Sequence, residues 1–233
     1  MITKRFLRIG LAFGLAIAGC YESSAIEPCF DCARDGEVVE DASSDASTDG
    51  EVCAGPGARF VTRVVDHAFG PGQDHNQEDG FPEALFGPPR AGDVRSVVSL
   101  GNGGWVIVEF EGNAIVDGPG PDFIVFENPL PGFAELATVA VSDDLEAWVS
   151  FPCVAPQEGP DYGFCAGVGE VRSHPDNGVD PLDPAVAGGD AFDLADIGVE
   201  RARYVRIEDR ADLDGPAGVF DLDAVGIVNA LCP

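Results

Sequence analysis

The segment Asp117-Gly-Pro-Gly-Pro-Asp-Phe-Ile-Val-Phe-Glu-Asn128 joins a glycine-bent acidic loop to an apolar strand without a break. Gly118 and Gly120 let the backbone turn sharply, and their missing side chains allow several oxygens to converge on one point. Carboxylates and main-chain carbonyls gathered in this way suit a hard cation such as calcium, which takes about six to eight oxygen ligands. Phe123 to Phe126 is apolar on both faces, so the strand is expected mid-sheet, with its ends at the rim. The segment therefore predicts the centre of a β-sandwich with a calcium-type site at one edge. The plainer alternative is an acidic turn solvated by water.

Strand signals extend in both directions from that centre. Arg59 to Val65 alternates, and Val94 to Leu100 and Trp105 to Phe110 flank Gly101-Asn-Gly-Gly104, a hairpin signal. Ala137 to Ser142 and Trp148 to Phe151 are joined by the turn Asp143-Asp144. Tyr204 to Ile207 and Val219 to Val228 close the series. A long Gly-, Pro- and Asp-rich loop runs from Pro152 to Ala191. No segment carries sustained helical spacing; Asp193 to Val199 could form a short turn. The 30 glycines and 18 prolines fit many short strands joined by turns. The fold class expected is all-β, an antiparallel β-sandwich spanning residues 53–233.

The balance of 41 acidic against 13 basic residues gives a net charge of −28. A polyanion would be repelled, so nucleic acid and anionic membrane surfaces are excluded as electrostatic partners. A hydrophobic fraction of 45% is enough for a sizeable core.

Export is written into the N-terminus. Lys4, Arg5 and Arg8 precede an apolar run through Ile17 that is too short for a transmembrane helix but has the layout of a secretory signal. Its end, Ile17-Ala-Gly-Cys20, resembles the lipobox of bacterial lipoproteins. That resemblance implies removal of residues 1–19 and lipidation of Cys20; with Tyr21 rather than aspartate following, it also implies the outer membrane. Residues 20–52 read as a lipid-anchored acidic tether, because a small-residue, acidic run such as 41–50 cannot bury enough surface to order itself.

Six further cysteines in an exported chain suggest disulfides, with 15 possible connectivities. Placement favours Cys29–Cys32, Cys53–Cys232 and Cys153–Cys165. A bridge from Cys53 to Cys232 would stabilise the domain by about 5 kcal/mol in the chain-entropy model. Cys29-Phe-Asp-Cys32 has redox spacing, but it lacks a βαβ context, and Asp31 would raise a thiol pKa.

Two more acidic clusters, Gly188-Gly-Asp-Ala-Phe-Asp193 and Asp221-Leu-Asp223, could join the loop at Asp117. The first-choice calcium ligands are Asp117, Asp122, Asn128 and Asp223, completed by main-chain oxygens. His67, His75 and His174 match no common zinc spacing. No nucleophile elbow, zinc-protease helix or phosphate loop is present. Acids are abundant, but none is visibly flanked by an apolar pocket that would raise its pKa. Trp105, Trp148, Tyr162, Phe164 and Tyr204 are the aromatic residues suited to stacking on a sugar; Trp105 and Trp148 lie within strands, where a core position is the commoner role. Tyr162 and Phe164, within the Cys153–Cys165 loop, are expected to stand exposed on a rigid platform.

Val139-Ala-Val-Ser-Asp-Asp-Leu-Glu-Ala-Trp148 resembles the strand–turn–Trp hairpin of discoidin-type domains, although Leu145 stands where their turn glycine is expected. Ala202-Arg-Tyr-Val-Arg-Ile207 and Phe220-Asp-Leu-Asp-Ala-Val225 resemble their last two strands. Gly120 to Asn128 is similar to a segment of bacterial cell-surface proteins. Over residues 53–232 the resemblance implies a galactose-binding-like jelly roll, a binding role for glycans or other surface ligands, and often a structural calcium. The expected protein is a lipid-anchored, non-catalytic envelope binding module. The alternatives are a purely structural or adhesion module and, third, a calcium-dependent hydrolase acting on glycosides.

Overall fold

The computed structural model describes residues 57–72, 75–90, 96–128, 135–154, 162–212 and 218–233. The signal segment, Cys20, the tether, Cys29, Cys32, Cys53 and Asp74 lie outside them. Eleven strands form among the described residues: β1 (Arg63–Ala68), β2 (Val98–Ser99), β3 (Trp105–Glu109), β4 (Ile115–Val116), β5 (Phe123–Glu127), β6 (Ala137–Ser142), β7 (Val149–Ser150), β8 (Asp190–Phe192), β9 (Arg201–Ala202), β10 (Tyr204–Asp209) and β11 (Asp221–Ile227). One sheet has the order β1-β3-β10-β6-β7 and the other β2-β11-β5-β8, with β4-β9 as a small ribbon. Every pairing is antiparallel. The chain is an all-β antiparallel sandwich.

Alternation builds the core. Val106 and Val108 on β3, Val139 and Val141 on β6, and Val205 and Ile207 on β10 all point inward. They meet Phe123 and Val125 of β5 and Leu222, Val225 and Ile227 of β11. Phe123 stacks on Phe192 at 5.1 Å, and Phe151 meets both rings edge-on. Each such fully buried ring contributes about 1.5–3 kcal/mol by burial.

As its composition predicts, β5 lies inside its sheet, and all five of its residues are buried. The inner face needs Phe123 and Val125; the outer face carries Ile124 and Phe126, which pack with Val171, Ala187 and Ala224. The latter part of the Pro152–Ala191 loop thus lies over the sheet. Its approach is close: a Cβ on Gly189 would sit 2.8 Å from the Phe126 ring, and one on Gly226 would sit 2.8 Å from Leu182. The central strand has no polar face because a loop replaces solvent on its outer side.

Two local expectations change. Strand β1 begins at Arg63, later than the alternation at Arg59 implies; Phe60 makes only an isolated bridge to Gly226. Gly101 to Gly104 is not a hairpin turn. β2 pairs with β11 and β3 with β1 and β10, so the glycines carry the chain from one sheet to the other. There they admit a second loop: Gly70 N–H donates to Leu100 O (2.9 Å) and Asn102 N–H to Pro71 O (2.8 Å). Leu145 occupies a left-handed conformation with φ +68, the one a turn glycine would adopt.

Cys153 and Cys165 are bonded to each other, and Cys232 is also in a disulfide, with a partner outside the described residues. No helix among the described residues is long and apolar enough to cross a membrane.

Candidate functional site

At one end of β5 three loops converge on Asp122. Its side chain is fully buried, and its oxygens are held by backbone and side-chain donors. Oδ1 accepts from Gly118 N–H (2.9 Å) and Asn229 Nδ2 (2.7 Å), and Oδ2 accepts from Leu194 N–H (2.7 Å). Asp122 therefore ties the glycine loop, the 3-10 turn Leu194–Ile197 and the end of β11 together. Charge-assisted bonds of this type are the stronger ones. Gly118 is required: a Cβ there would meet the Asn229 side chain at 2.5 Å.

Asp117 and Asp193 reach the same place. One oxygen from each of Asp117, Asp122 and Asp193 lies within 4.8 Å of the others. Calcium–oxygen distances of about 2.3–2.6 Å allow two ligands on opposite sides of an ion to lie about that far apart. A carboxylate offers about four lone-pair positions, so Asp122 keeps a position after its three bonds. Asp193 also caps the 3-10 turn through Ala195 N–H (2.9 Å), while Asp117 is exposed. The donor set fits a hard divalent cation.

The other half of the first-choice ligand set is elsewhere. Asn128 follows the far end of β5, about 20 Å from Asp122 at the usual strand rise. Because β11 runs antiparallel to β5, with Leu222 opposite Glu127, Asp223 lies at that far end too. Asn128 N–H donates to Asp221 O, and its side chain reaches Asp221 Oδ2 at 3.4 Å. Asp223 accepts Arg90 N–H (2.7 Å). Asn128 and Asp223 cannot share an ion with Asp117 and Asp122. A bulge between Leu222 and Ala224 also breaks the alternation expected to put Asp221 and Asp223 on one face. Asp193 takes their place because β8 pairs Phe192 with Phe123, which brings the next residue beside Asp122.

That far end holds a second acidic group. Glu127 is only 5% exposed. Burial, the hydrogen-bonded Glu135 beside it and the charges of Asp190 and Asp221 push its pKa up to about 10. Burial likewise pushes Asp223 up to about 7 against the opposing pull of Arg90, and one of its oxygens is buried without a hydrogen bond. Asp190 is raised by burial although Gly167, Val168 and Gly169 N–H all donate to it. The expectation that no acid is flanked by apolar surroundings therefore fails. Its visible signal is Glu127 itself, an acid set directly at the end of an all-apolar strand.

The aromatic residues are also redistributed. Cys153 and Gly163 form a bridge, and Val154 and Phe164 N–H donate to Tyr162 O and Pro152 O, so the disulfide closes a narrow hairpin. Phe164 does not stand out from it: the ring packs on the core 6.1 Å from Phe151. Tyr162 is half-buried. Trp105 and Tyr204, by contrast, lie on the outer face of the five-stranded sheet. Their strand neighbours Val106 and Val205 take the core positions. Trp105 carries the Arg206 guanidinium 4.7 Å from its ring centroid.

Among the described residues His67, His75 and His174 join no group of ligands close enough to hold a metal. His67 instead packs against Phe69 and Phe81. No protein-family model matches the sequence, and no curated protein matches it either.

Proposed function

We propose that the protein is a lipid-anchored component of the cell envelope, held through Cys20 in the outer membrane. Its sandwich domain binds glycans or other surface ligands without chemistry, and a calcium ion fixes its rim loops. The observation that carries the calcium assignment is the convergence of Asp117 and Asp122, at the two ends of one glycine loop, and Asp193, just after β8, onto one point. Calcium completed by nearby carbonyls would relieve the repulsion of three acids and lock the loops that Asp122 already joins. The antiparallel sandwich supports a galactose-binding-like, discoidin-type relationship.

Asp117 provides the test. It is exposed, so Asp117→Asn removes a ligand with little effect on the ion-free fold. Calcium is expected to raise the melting temperature of the full chain and to leave that of Asp117→Asn much less changed, while in chelator Asp117→Asn melts at or slightly above the parent chain because one of three facing acids is gone. No calcium shift in the parent chain would eliminate the ion. Metabolic labelling with a fatty acid, lost in Cys20→Ala, tests the anchor. A glycan array separates ligand binding from a purely structural role.

One observation favours an enzyme as a second possibility: burial pushes the pKa of Glu127 up to about 10, the kind of shift that lets a carboxyl serve as a general acid. Its 5% exposure leaves little room for a substrate. Turnover of chromogenic glycosides that disappears in Glu127→Gln would establish it.

A further inference from the structure

The two sheets differ on their outer sides. On β5 and β11 the outward residues Ile124, Phe126 and Ala224 are fully buried beneath a loop. On β3 and β10 the outward residues Trp105, Ile107, Tyr204 and Arg206 all remain partly accessible. Residues directly opposite in an antiparallel pair share a face. The register sets Tyr204 opposite Glu109, Arg206 opposite Ile107 and Glu208 opposite Trp105. Two aromatic rings, an aliphatic residue and an arginine thus share one face of the adjacent inner strands β3 and β10.

From this surface we infer that the outer face of the five-stranded sheet is the binding platform, and that its occupant is an uncharged oligosaccharide. The inference rests on the glycan-binding role proposed above and deepens it.

Charge selects the occupant. Arg206 pairs with Glu208 (2.8 Å), and Arg63, from β1, pairs with Glu109. Their charges cancel, and Asp66 at the edge strand adds one negative charge. An anionic ligand would approach a chain of net charge −28 with no uncompensated positive patch here to attract it. A cation would find acids in greater density elsewhere. Sugar hydroxyls both donate and accept, so they match paired arginines and glutamates whose positions are set by one another and by Trp105. The C–H face of a pyranose matches Ile107, Tyr204 and the part of Trp105 that the Arg206 guanidinium leaves accessible, apolar area that costs little entropy to present. Trp105 and Tyr204 are separated by about 13 Å along the strands, a span that suits a chain of sugars more than a single ring.

The test uses the full chain on an array holding neutral, sulfated and uronate-containing glycans, followed by titration of the best neutral oligosaccharide. Neutral binders are expected to dominate. Trp105→Ala and Arg206→Gln are each expected to weaken binding about tenfold, as central contact residues do, with melting temperature recorded for both. Trp148→Phe leaves Trp105 as the sole tryptophan, and its emission should shift on titration even if Trp105→Ala folds poorly. Neutral binding untouched by both substitutions, with silent Trp105 emission, would overturn the platform and leave glycan binding standing. Dominance of anionic glycans would overturn the ligand class. Absence of any glycan binding would remove the proposed role and the platform together.

Discussion

Leu145 pays a steric penalty that the turn does not need. Its φ of +68 brings a Cβ against the following carbonyl, a cost of about 1–2 kcal/mol for a non-glycine residue. The turn is built by other groups: Ser142 Oγ accepts Leu145 N–H (2.9 Å), and Asp144 Oδ1 accepts Glu146 and Ala147 N–H (2.8 and 2.9 Å). Leu145 is 39% exposed, so its side chain contributes little burial. Leu145→Gly gives back part of the gain as unfolded-chain entropy. It is still expected to stabilise the domain by about 1 kcal/mol, a rise of about 3 °C in melting temperature. A fall in calorimetric melting temperature would show that the leucine packs in a way its exposure conceals. The sequence comparison with discoidin-type turns already marked the position, because a glycine was expected there.

The elements show what a sequence can and cannot convey. The fully apolar run of β5 announced a mid-sheet strand, since burial on both faces leaves a direct trace in composition, and β6 and β10 overlap the strands expected at Ala137–Ser142 and Tyr204–Ile207. Pairing leaves no such trace. The Gly101–Gly104 cluster resembled a hairpin because glycine serves both a tight turn and a close approach of backbones, and only the partner loop at Gly70 distinguishes them. The same gap split the ligand set: nothing in Asp223 itself says which end of β5 it adjoins, whereas an antiparallel β11 sends it to Glu127 and an antiparallel β8 sends Asp193 to Asp122. The two glycine roles can be separated by experiment. A Cβ on Gly101 would lie 2.1 Å from Gly70 O, while one on Gly103 meets nothing within 4 Å; both residues have positive φ. Gly103→Ala should therefore cost about 1 kcal/mol, from backbone strain alone. Gly101→Ala adds a backbone collision and should cost 3 kcal/mol or more, on the order of the largest single-site effects. Urea denaturation giving equal losses would place Gly101 in an ordinary turn.

At the scale of the whole molecule, four of the buried acids among the described residues act in one direction. Burial is the leading cause of the upward shift at Glu127, Asp190, Asp209 and Asp223, so the folded chain holds protons that the unfolded chain releases. Below the ordinary carboxylate range both states are protonated and these groups exert no penalty. As pH rises, the unfolded state ionises first, and stability falls until the folded pKa is passed. For Asp223 that window runs from its ordinary 3.8 to about 7, and for Glu127 from 4.5 to about 10. Between pH 5 and 8 Asp223 alone should remove about 3 kcal/mol, at about 1.4 kcal/mol per pH unit. Asp223→Asn keeps a carbonyl to accept Arg90 N–H and cannot ionise. It should therefore lose correspondingly less stability over that range, with the Glu127 contribution common to both chains. Urea denaturation in chelator at pH 5, 6, 7 and 8 reads the two slopes directly. Stability that is level or rising with pH in the parent chain would mean that Glu127 and Asp223 ionise in the fold, and hence that water or a cation reaches the far end of β5.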